Sequence, residues 1–486
     1  MLNAEKTGDA DPMTSGANGS CPHASAPTRP SQEEVAEWVK ASNAESDLPP
    51  GPSMPSAMQT LGIWSRPTAF LESCRARYGT PFTLQIRVPS TPFVMIANPD
   101  EIKQVFMAPA DVLWAGEGSS SIEKYTGQTG LACLDEDKHL SRRRLVNRSV
   151  QGEAVQNATA DIAELAHRDV ASWPRDEVIE LYPLIHRLTL KVVFRIAFGP
   201  QQDPRLDELL DVVMDMMAIN EKPTSVVPIQ ALPERTQRVL TAFRPFGFHT
   251  FGKLRARADE LIYDVLAERR REGAVEGDDM ASVMLAGTDE NGQPLELVEV
   301  RDEIMTNFVA GTTTTAASVS WAIEQLTRTP DALDRLVSEI QAGQEDTYLT
   351  ATVHEILRRR PPLPTIIPRL VVKPIEVGGR TYQPGVHLWG CPYLLHHDES
   401  IYPDPYAFRP ERFLDESPGT YTWIPFGGGR RRCLGRIVAD LEIKCILREV
   451  FSRYRVRRDA PEPEGVRTKL VTVTPARNAR MALSPV

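Results

Sequence analysis

Several features that define other classes of protein are missing from this chain of 486 residues. No apolar run approaches the roughly 20 residues that a membrane-spanning helix needs, and the N-terminus shows no basic region followed by an apolar one. No internal repeat is present either, which argues against a solenoid or propeller. We therefore expect a soluble protein with no membrane span and no removable signal sequence.

Cysteines and basic residues are also too few for some functions. The six cysteines show neither CxxC nor CxxxC spacing, which suggests no zinc site and no disulfide framework. A reducing, cytoplasmic setting fits this pattern best. With 55 Lys and Arg against 65 Asp and Glu, the formal net charge is -10. This balance argues against nucleic acid as a partner, because phosphate binding needs a basic surface.

The chain nevertheless has enough apolar residues, 41% of the total, to bury a large core. Its first 30 or so residues are rich in Gly, Ser, Ala, Pro and Asp, a composition that cannot bury enough apolar surface to fold. The proline-rich stretch LPPGP then begins at Leu48. We predict a largely disordered N-terminal tail over residues 1–47 and a single domain over residues 48–486.

The pattern of apolar residues predicts a mainly α protein with a smaller β region, an α+β fold. Helical periodicity marks six runs: Pro99–Met107, Arg142–Gln151, Gln156–Trp173, Leu181–Phe198, Arg255–Arg271 and Val300–Thr327. The runs YGTPFTLQI and PFVMIANP predict a β hairpin, and IEVGGRTYQPGVHLWG predicts a second β patch. Met214–Pro245 is interrupted by prolines and rich in Met, Val and Ile, which suits either the apolar walls of a pocket or irregular core packing.

The segment FGGGRRRCLG, from Phe426 to Gly435, sets four glycines and three arginines around one cysteine. Glycine permits unusual dihedral angles and close approach, while nearby cations and a following helix N-terminus favour a thiolate. A cysteine in this setting is more typical of a ligand or a nucleophile than of a core residue. A buried thiol behind a basic turn is the alternative.

The long predicted helix contains AGTTTTAAS, from Ala310 to Ser318, which is a poor choice for helix propensity. Gly costs about 1 kcal/mol relative to Ala, and Thr is β-branched and can bond back to a carbonyl one turn earlier. A small-residue helix crossing would explain the Ala and Gly but not four threonines. We expect Ala310 and Gly311 to leave a shallow surface, and the hydroxyls to hold a local opening or water.

Two further motifs lie between this helix and the cysteine segment. In HEILRRRPPLP, Glu355 and Arg358 are three residues apart and share one helical face. Burial would require them to pair, and the sequence alone does not decide burial. The second motif is YPDPYAFRPERF, a proline-rich loop in which Arg409 and Arg412 are available for carboxylates.

Taken together and in this order, these segments resemble the haem-thiolate cytochrome P-450 superfamily, from LPPGP to the C-terminus. The cysteine segment fits FxxGxRxCxG in full. The resemblance implies the fold of that superfamily, with haem between the long distal helix and the helix after the cysteine. It also implies haem b that is bound without covalent attachment, since CxxCH is absent, and a bacterial-type member.

The resemblance assigns residues to roles. Cys433 is the axial thiolate ligand of the iron, Arg431 pairs with a haem propionate, and Thr313 and Thr314 occupy the catalytic positions. The haem-contacting set comprises Cys433, Arg431, His139, Arg143, Arg369, Phe426, Gly435, Ala310 and Gly311. The substrate pocket comprises the loop 117–125, residues 214–228, Phe308, Thr365, Ile366, Ile367, Leu470 and Val471. For His139, Arg143 and Arg369 the alternative is a solvated basic face, which without the resemblance would be the preferred interpretation of His139 alone.

The implied function is a monooxygenase that inserts one atom of dioxygen into a lipophilic small molecule, of a secondary-metabolite or lipid-like kind. An oxidation without net oxygen insertion and a haem-thiolate sensor or binding protein are the alternatives. The family pattern AGx(D/E)T(T/S) has an acid where this sequence has Thr313. Because a hydroxyl cannot supply a proton as a carboxylic acid can, we expect weakened proton delivery at this position.

We expect electrons to come from a separate protein, because the predicted tail and haem domain leave no stretch of this sequence for a flavin or iron–sulfur module. We expect a ferredoxin or flavodoxin with its reductase. An acidic partner of this kind would be steered by a basic patch of Arg430, Arg432, Arg436, Lys138, Arg142 and Arg144. If the cysteine segment were extended, Arg430 and Arg432 would face away from Arg431.

Overall fold

The computed structural model describes residues 37–38, 47–87, 90–200, 203–220, 248–273, 277–343 and 345–486. Most of the predicted N-terminal tail lies outside these residues. The same holds for the pocket wall predicted at residues 214–228 beyond residue 220, and for most of Met214–Pro245. All helices, strands and contacts given below belong to these described ranges.

Helices make up most of the described chain, as the sequence predicted. In chain order they are α1 (Ser56–Ser65), α2 (Pro67–Tyr78), α3 (Pro99–Met107), α4 (Glu123–Thr126), α5 (Glu136–Val150), α6 (Glu153–Ala171), α7 (Leu181–Phe198), α8 (Pro204–Asn220), α9 (Phe248–Glu272), α10 (Met280–Leu285), α11 (Leu297–Arg328), α12 (Pro330–Ala342), α13 (Thr347–Arg359), α14 (Pro392–His396) and α15 (Arg436–Arg453). Short 3₁₀ turns occur at Glu117–Ile122, Leu131–Cys133, Pro410–Phe413 and Gly429–Arg431.

The strands are shorter and form a smaller part of the fold. They are β1 (Phe82–Arg87), β2 (Ser90–Ile96), β3 (Leu113–Trp114), β4 (Val178–Glu180), β5 (Arg369–Val371), β6 (Ile375–Val377), β7 (Arg380–Tyr382), β8 (His387–Gly390), β9 (Tyr454–Arg458), β10 (Val466–Lys469), β11 (Thr472–Pro475) and β12 (Arg480–Pro485). The main sheet has the order β1-β2-β8-β5-β3, in which only β2 and β8 pair in parallel. A three-stranded sheet, β4-β12-β9, and two hairpins complete the described strands.

Local signals explain why several predicted helices begin and end where they do. The bounds of α3 and α7 are those predicted from the sequence. Asn98 caps α3 by accepting from the backbone N–H groups of Asp100 and Glu101 at 2.9 and 3.3 Å, which satisfies donors that the helix leaves unpaired. A reciprocal pair of hydrogen bonds between Glu296 and Glu299 starts α11.

The longest described helix, α11, has 32 residues and runs through the helical core. Two large clusters of buried apolar residues lie along it, and a third lies between the main sheet and α1 to α3. The helix is continuous through its four threonines. The predicted local opening therefore does not take the form of a break in the helix, and the alternative, water held by the hydroxyls, stays a prediction.

Candidate active site

The cysteine segment contains the 3₁₀ turn Gly429–Arg431 and leads directly into α15. The backbone N–H of Cys433 donates to the carbonyl of Phe426 at 2.9 Å, which closes the segment into a loop. Gly435 is the N-cap residue of α15, so the cysteine lies just before a helix N-terminus. The half-buried Phe426 packs against Trp423, with ring centroids 5.9 Å apart.

The glycines of this loop allow it to approach α3. A Cβ atom on Gly428 would lie 2.2 Å from the Phe106 ring, and one on Gly429 would lie 2.2 Å from the Phe106 carbonyl oxygen. Gly429 also has φ +60°, which L side chains rarely adopt. The sequence predicted that these glycines permit close approach of another group, and the structure shows that Phe106 of α3 is one such group.

Cys433 is exposed to solvent, although the surrounding protein raises the pKa of its thiol by desolvation. A backbone hydrogen bond from Gly435 and the charges of Arg143 and Arg432 act against desolvation and favour the thiolate. The other described cysteines, Cys74, Cys133, Cys391 and Cys445, are buried or half-buried.

Three arginines and a histidine converge beside this cysteine. Arg143, on α5, donates to the carbonyl of Arg432 at 2.7 Å. Arg431 donates to the carbonyl of Leu134 at 2.5 Å and forms an ion pair with Asp135. Arg369, at the start of β5, is buried and donates to the carbonyl of Ile367 at 2.9 Å. The structure thus brings together residues from three parts of the chain: His139 and Arg143 on α5, Arg369 on β5, and Arg431 in the cysteine segment.

The electrostatics of this cluster fit a ligand that carries carboxylates. Desolvation, followed by the charge of Arg431, lowers the pKa of Arg369 to about 9. Desolvation and the three arginines lower the pKa of His139 to about 3, so its imidazole is neutral. Asp135 is the only carboxylate whose charge contributes to these pKa shifts. The three guanidinium groups and this one carboxylate together carry a formal charge of +2. The two propionates of protoporphyrin would balance this charge.

A short part of α11 is accessible to solvent, whereas most residues of the helix are buried. Ala310 is exposed, and Thr314, one turn later, is half-buried and donates to the Ala310 carbonyl at 2.9 Å. Gly311 serves another purpose, because a Cβ atom there would lie 2.9 Å from Cγ2 of Val193 on α7. Gly311 therefore permits a helix crossing, the alternative considered for the small residues.

Two other threonines of α11 face protein. Thr313 is buried, and its Oγ1 lies 3.3 Å from Oγ1 of Thr472 on β11. Thr312 donates to the Phe308 carbonyl at 2.8 Å and lies 3.3 Å from Nε2 of the buried His186 on α7. Neither His186 nor Thr472 was predicted, because nothing in their local sequence distinguishes them from ordinary core residues.

The predicted pocket residues fall into two groups. Thr365, Ile367, Leu470 and Val471 are accessible or half-buried, in keeping with a pocket wall. Phe308 is 0% exposed and stacks on Phe194 with centroids 4.4 Å apart, so its assignment to the pocket wall is wrong. Ile366 is also buried and packs in the cluster beneath the main sheet. Both were misassigned because position along an element does not reveal which side faces a cavity.

The sequence did not decide whether Glu355 and Arg358 are buried, and the structure shows that both are. Both side chains are 0% exposed, and they form a bidentate pair at 2.7 and 2.8 Å. The remaining donors of Arg358 reach the carbonyls of His396, Pro405 and Ala407. The pair thus fastens α13 to the loop before the cysteine segment.

The predicted basic patch needs one correction. Arg142 is buried, donates to the Thr129 carbonyl at 2.9 Å and forms an ion pair with Glu299, so it cannot belong to a surface patch. The other predicted members are exposed or half-buried: Lys138, Arg144, Arg430, Arg432 and Arg436. The assumed extended backbone is also wrong, since Arg430 and Arg431 lie in a 3₁₀ turn.

Comparison with known proteins agrees with this site. The family model for cytochrome P450 matches residues 48–481. A Mycobacterium tuberculosis protein named as putative cytochrome P450 135B1 is 32% identical over 443 residues, which cover 89% of this chain and 91% of that protein. Putative cytochrome P450 137 of the same organism is 29% identical over 417 residues, 84% of each chain. The chain belongs to the cytochrome P450 family.

Solved structures agree on the fold. The retinoic acid-bound cyanobacterial CYP120A1 is similar with a TM-score of 0.77 at 20% identity, over 91% of this chain and 100% of that one. The haem domain of cytochrome P450DA gives a TM-score of 0.73 at 19% identity, over 90% and 98%. The protein is accordingly a haem-thiolate oxidoreductase of the monooxygenase type, with haem b as its cofactor. This excludes the sensor alternative. Among the described residues, no helix is long and apolar enough to cross a membrane.

Proposed function

We propose that this enzyme inserts one atom of dioxygen into a lipophilic small molecule, with Cys433 as the thiolate ligand of the haem iron. The observation that carries the proposal is the accessible Cys433 thiol, which accepts a backbone hydrogen bond from Gly435 beside a cationic cluster. A thiolate ligand pushes electron density onto haem iron and favours cleavage of the O–O bond.

The residues of the cationic cluster would hold the cofactor. Arg143, Arg369 and Arg431 present guanidinium groups, which suit bidentate recognition of carboxylates such as the propionates. His139 is neutral, so it contributes hydrogen bonding without further charge. Ala310 is the exposed small residue of α11 on the distal side, where side-chain bulk would exclude the ring. Gly311, which was expected to share this role, faces Val193 on α7 instead.

On the distal side, we assign the hydroxyl next to dioxygen to Thr314. Its Oγ1–H donates to the Ala310 carbonyl, which leaves the oxygen lone pairs available to accept a hydrogen bond. Thr313 holds its hydroxyl against Thr472, in the position where the family usually has an acid. Water or a polar substrate group then has to supply the proton, because neither hydroxyl is an acid at neutral pH.

The accessible pocket residues support a lipophilic substrate. Ile367, Leu470 and Val471 are apolar, and Thr365 adds one hydroxyl. Apolar walls with few polar groups are typical of small-molecule sites. A second candidate reaction, oxidation without net oxygen insertion, is favoured by the absence of the acid at Thr313.

Two measurements test these assignments. The reduced, carbon monoxide-bound protein should show the red-shifted Soret band of thiolate ligation, which Cys433→Ala should abolish and the control Cys445→Ala should retain. A persistent band in Cys433→Ala would refute the ligand assignment. Products formed under labelled dioxygen separate the two reactions: label in the product supports insertion, and unlabelled oxidised product supports the alternative.

Restoring the missing acid tests the part played by position 313. Thr313→Glu should raise the product formed per NAD(P)H consumed, with Thr313→Val as the control that removes the hydroxyl without adding an acid. If coupling is already tight with a wholly apolar substrate and Thr313→Glu changes nothing, the departure from the family pattern has no effect on proton delivery.

For electron supply, we propose a separate ferredoxin or flavodoxin with its reductase. The accessible cations on α5 and around the cysteine segment are held together by the hydrogen bond between Arg143 and the Arg432 carbonyl. They form a basic surface on a protein whose net charge is negative. Such a surface steers an acidic partner towards the cysteine side.

A further inference from the structure

Asp135 occupies a helix-capping position, but its carboxylate binds other segments of the chain and not the first turn of the helix. It is the N-cap residue of α5, yet its side chain makes no capping hydrogen bond to that helix. Aspartate at an N-cap normally accepts from the first turn and adds about 1 kcal/mol of stability. The carboxylate of Asp135 instead turns towards residues that lie far away in the sequence.

Three donors from two other segments converge on this carboxylate. The backbone N–H of Ala115 donates to Oδ1 at 2.8 Å, and that of Gly116 donates to Oδ1 and Oδ2 at 3.0 and 2.9 Å. The guanidinium of Arg431 completes the set. Asp135 thereby joins α5 to the cysteine segment and to the strand end that precedes the predicted pocket loop 117–125.

At Gly116 the packing leaves no room for a side chain beside this carboxylate. A Cβ atom on Gly116 would lie 2.4 Å from the Cys133 carbonyl oxygen and 2.6 Å from Oδ2 of Asp135. Any larger residue would push the backbone off the carboxylate. Charge-assisted hydrogen bonds of this kind are roughly twice as strong as neutral ones.

The charge of Asp135 acts on the arginines of the cationic cluster. It forms an ion pair with Arg431, and it raises the pKa of the buried Arg369 against the desolvation that lowers it. Asp135 is therefore a negative charge beside the groups that are proposed to hold the propionates. A fixed negative charge near a redox centre disfavours the addition of an electron, and more so where water is excluded.

We propose that Asp135 is a positioning residue that holds Arg431 and the 115–116 backbone in place and sets the reduction potential of the bound haem. This inference rests on the haem site of the proposed function but not on the reaction performed there. Asp135 makes no contact with substrate in this assignment. It acts through Arg431 and through the local electric field.

The test compares Asp135→Asn with Asp137→Asn, a matched control in the first turn of α5 whose side chain is more accessible. Asp135→Asn should shift the haem reduction potential in the positive direction, because one negative charge is lost. Asp137→Asn should shift it much less, since water screens a charge at the surface. Asp135→Glu keeps the charge and should stay close to wild type. Equal shifts in the two Asn variants would overturn the inference.

A second readout is independent of the haem reduction potential. In the holoprotein, Asp135→Asn should accelerate hydrogen exchange at the Ala115 and Gly116 amides by about tenfold, the equivalent of one charge-assisted hydrogen bond. Gly116→Ala should accelerate the same amides while it keeps the charge, and it serves if Asp135→Asn does not fold. Unchanged exchange in the variants would also overturn the inference. Loss of the thiolate Soret band in the wild type would refute the proposed function instead.

Discussion

Replacing Glu355 by glutamine should destabilise the whole fold. In the wild type, all five N–H donors of Arg358 are used, two on Glu355 and three on backbone carbonyls. Glu355 also accepts from the backbone N–H of Arg409 at 2.8 Å. Glutamine has nearly the same shape, but it leaves the guanidinium as a buried charge without a counter-ion and turns an NH₂ group towards one of these donors.

The burial of the pair sets the size of the effect. Both side chains are 0% exposed, and breaking a buried pair by removing one partner costs about 3–5 kcal/mol. The control is Glu164→Gln, which breaks an ion pair whose acid and base are 58% and 67% exposed. We expect this control to lie within about 0.5 kcal/mol of wild type, because surface pairs contribute little.

Urea unfolding followed by circular dichroism measures both variants, and the carbon monoxide spectrum reports whether the cysteine segment keeps its geometry. The Glu355→Gln protein should unfold at lower urea concentration and lose part of the thiolate band, since Arg358 fastens the loop that precedes this segment. A Glu355→Gln protein within about 1 kcal/mol of wild type would refute the reasoning, because it would mean that the buried charge finds compensation elsewhere.

Three further predictions concern the surface, the core and the distal helix. Arg432→Glu should slow the reduction of this protein by an acidic partner about tenfold at low ionic strength and less at high salt. The control Arg457→Glu, at an exposed position on β9, should change the reduction rate little. A reduction rate that does not depend on salt would contradict the proposed surface. Burial lowers the pKa of His387 to about 3, so the unfolded chain takes up a proton below pH 6.5 that the folded protein does not, and stability falls as the pH drops. His387→Phe should remove roughly 2 kcal/mol of the loss of stability between pH 7 and pH 5 in urea unfolding; an unchanged slope would show that His387 also takes up its proton in the folded protein. Thr314→Ala should divert electrons from product to hydrogen peroxide, and unchanged coupling would remove Thr314 from proton delivery.

The sequence alone determined the class of the protein and much of its helical framework. FxxGxRxCxG places the thiol, the glycines and the helix start within ten residues, so their proximity needs no tertiary structure. The bounds of α3 and α7 also follow from local signals, because caps, prolines and apolar periodicity act over a few residues. Each of these features is determined by residues that are close together in the sequence.

Tertiary structure decided what is buried and what pairs. Arg142 and Arg144 are neighbours in one basic run, yet one is buried against α11 and the other is exposed. Phe308 faces the core, although its place on the distal helix suggested the pocket. Asp135 and Arg431 are 296 residues apart, and no local pattern marks them as partners. Burial and pairing depend on which distant elements pack together, and that is settled only when the whole chain folds.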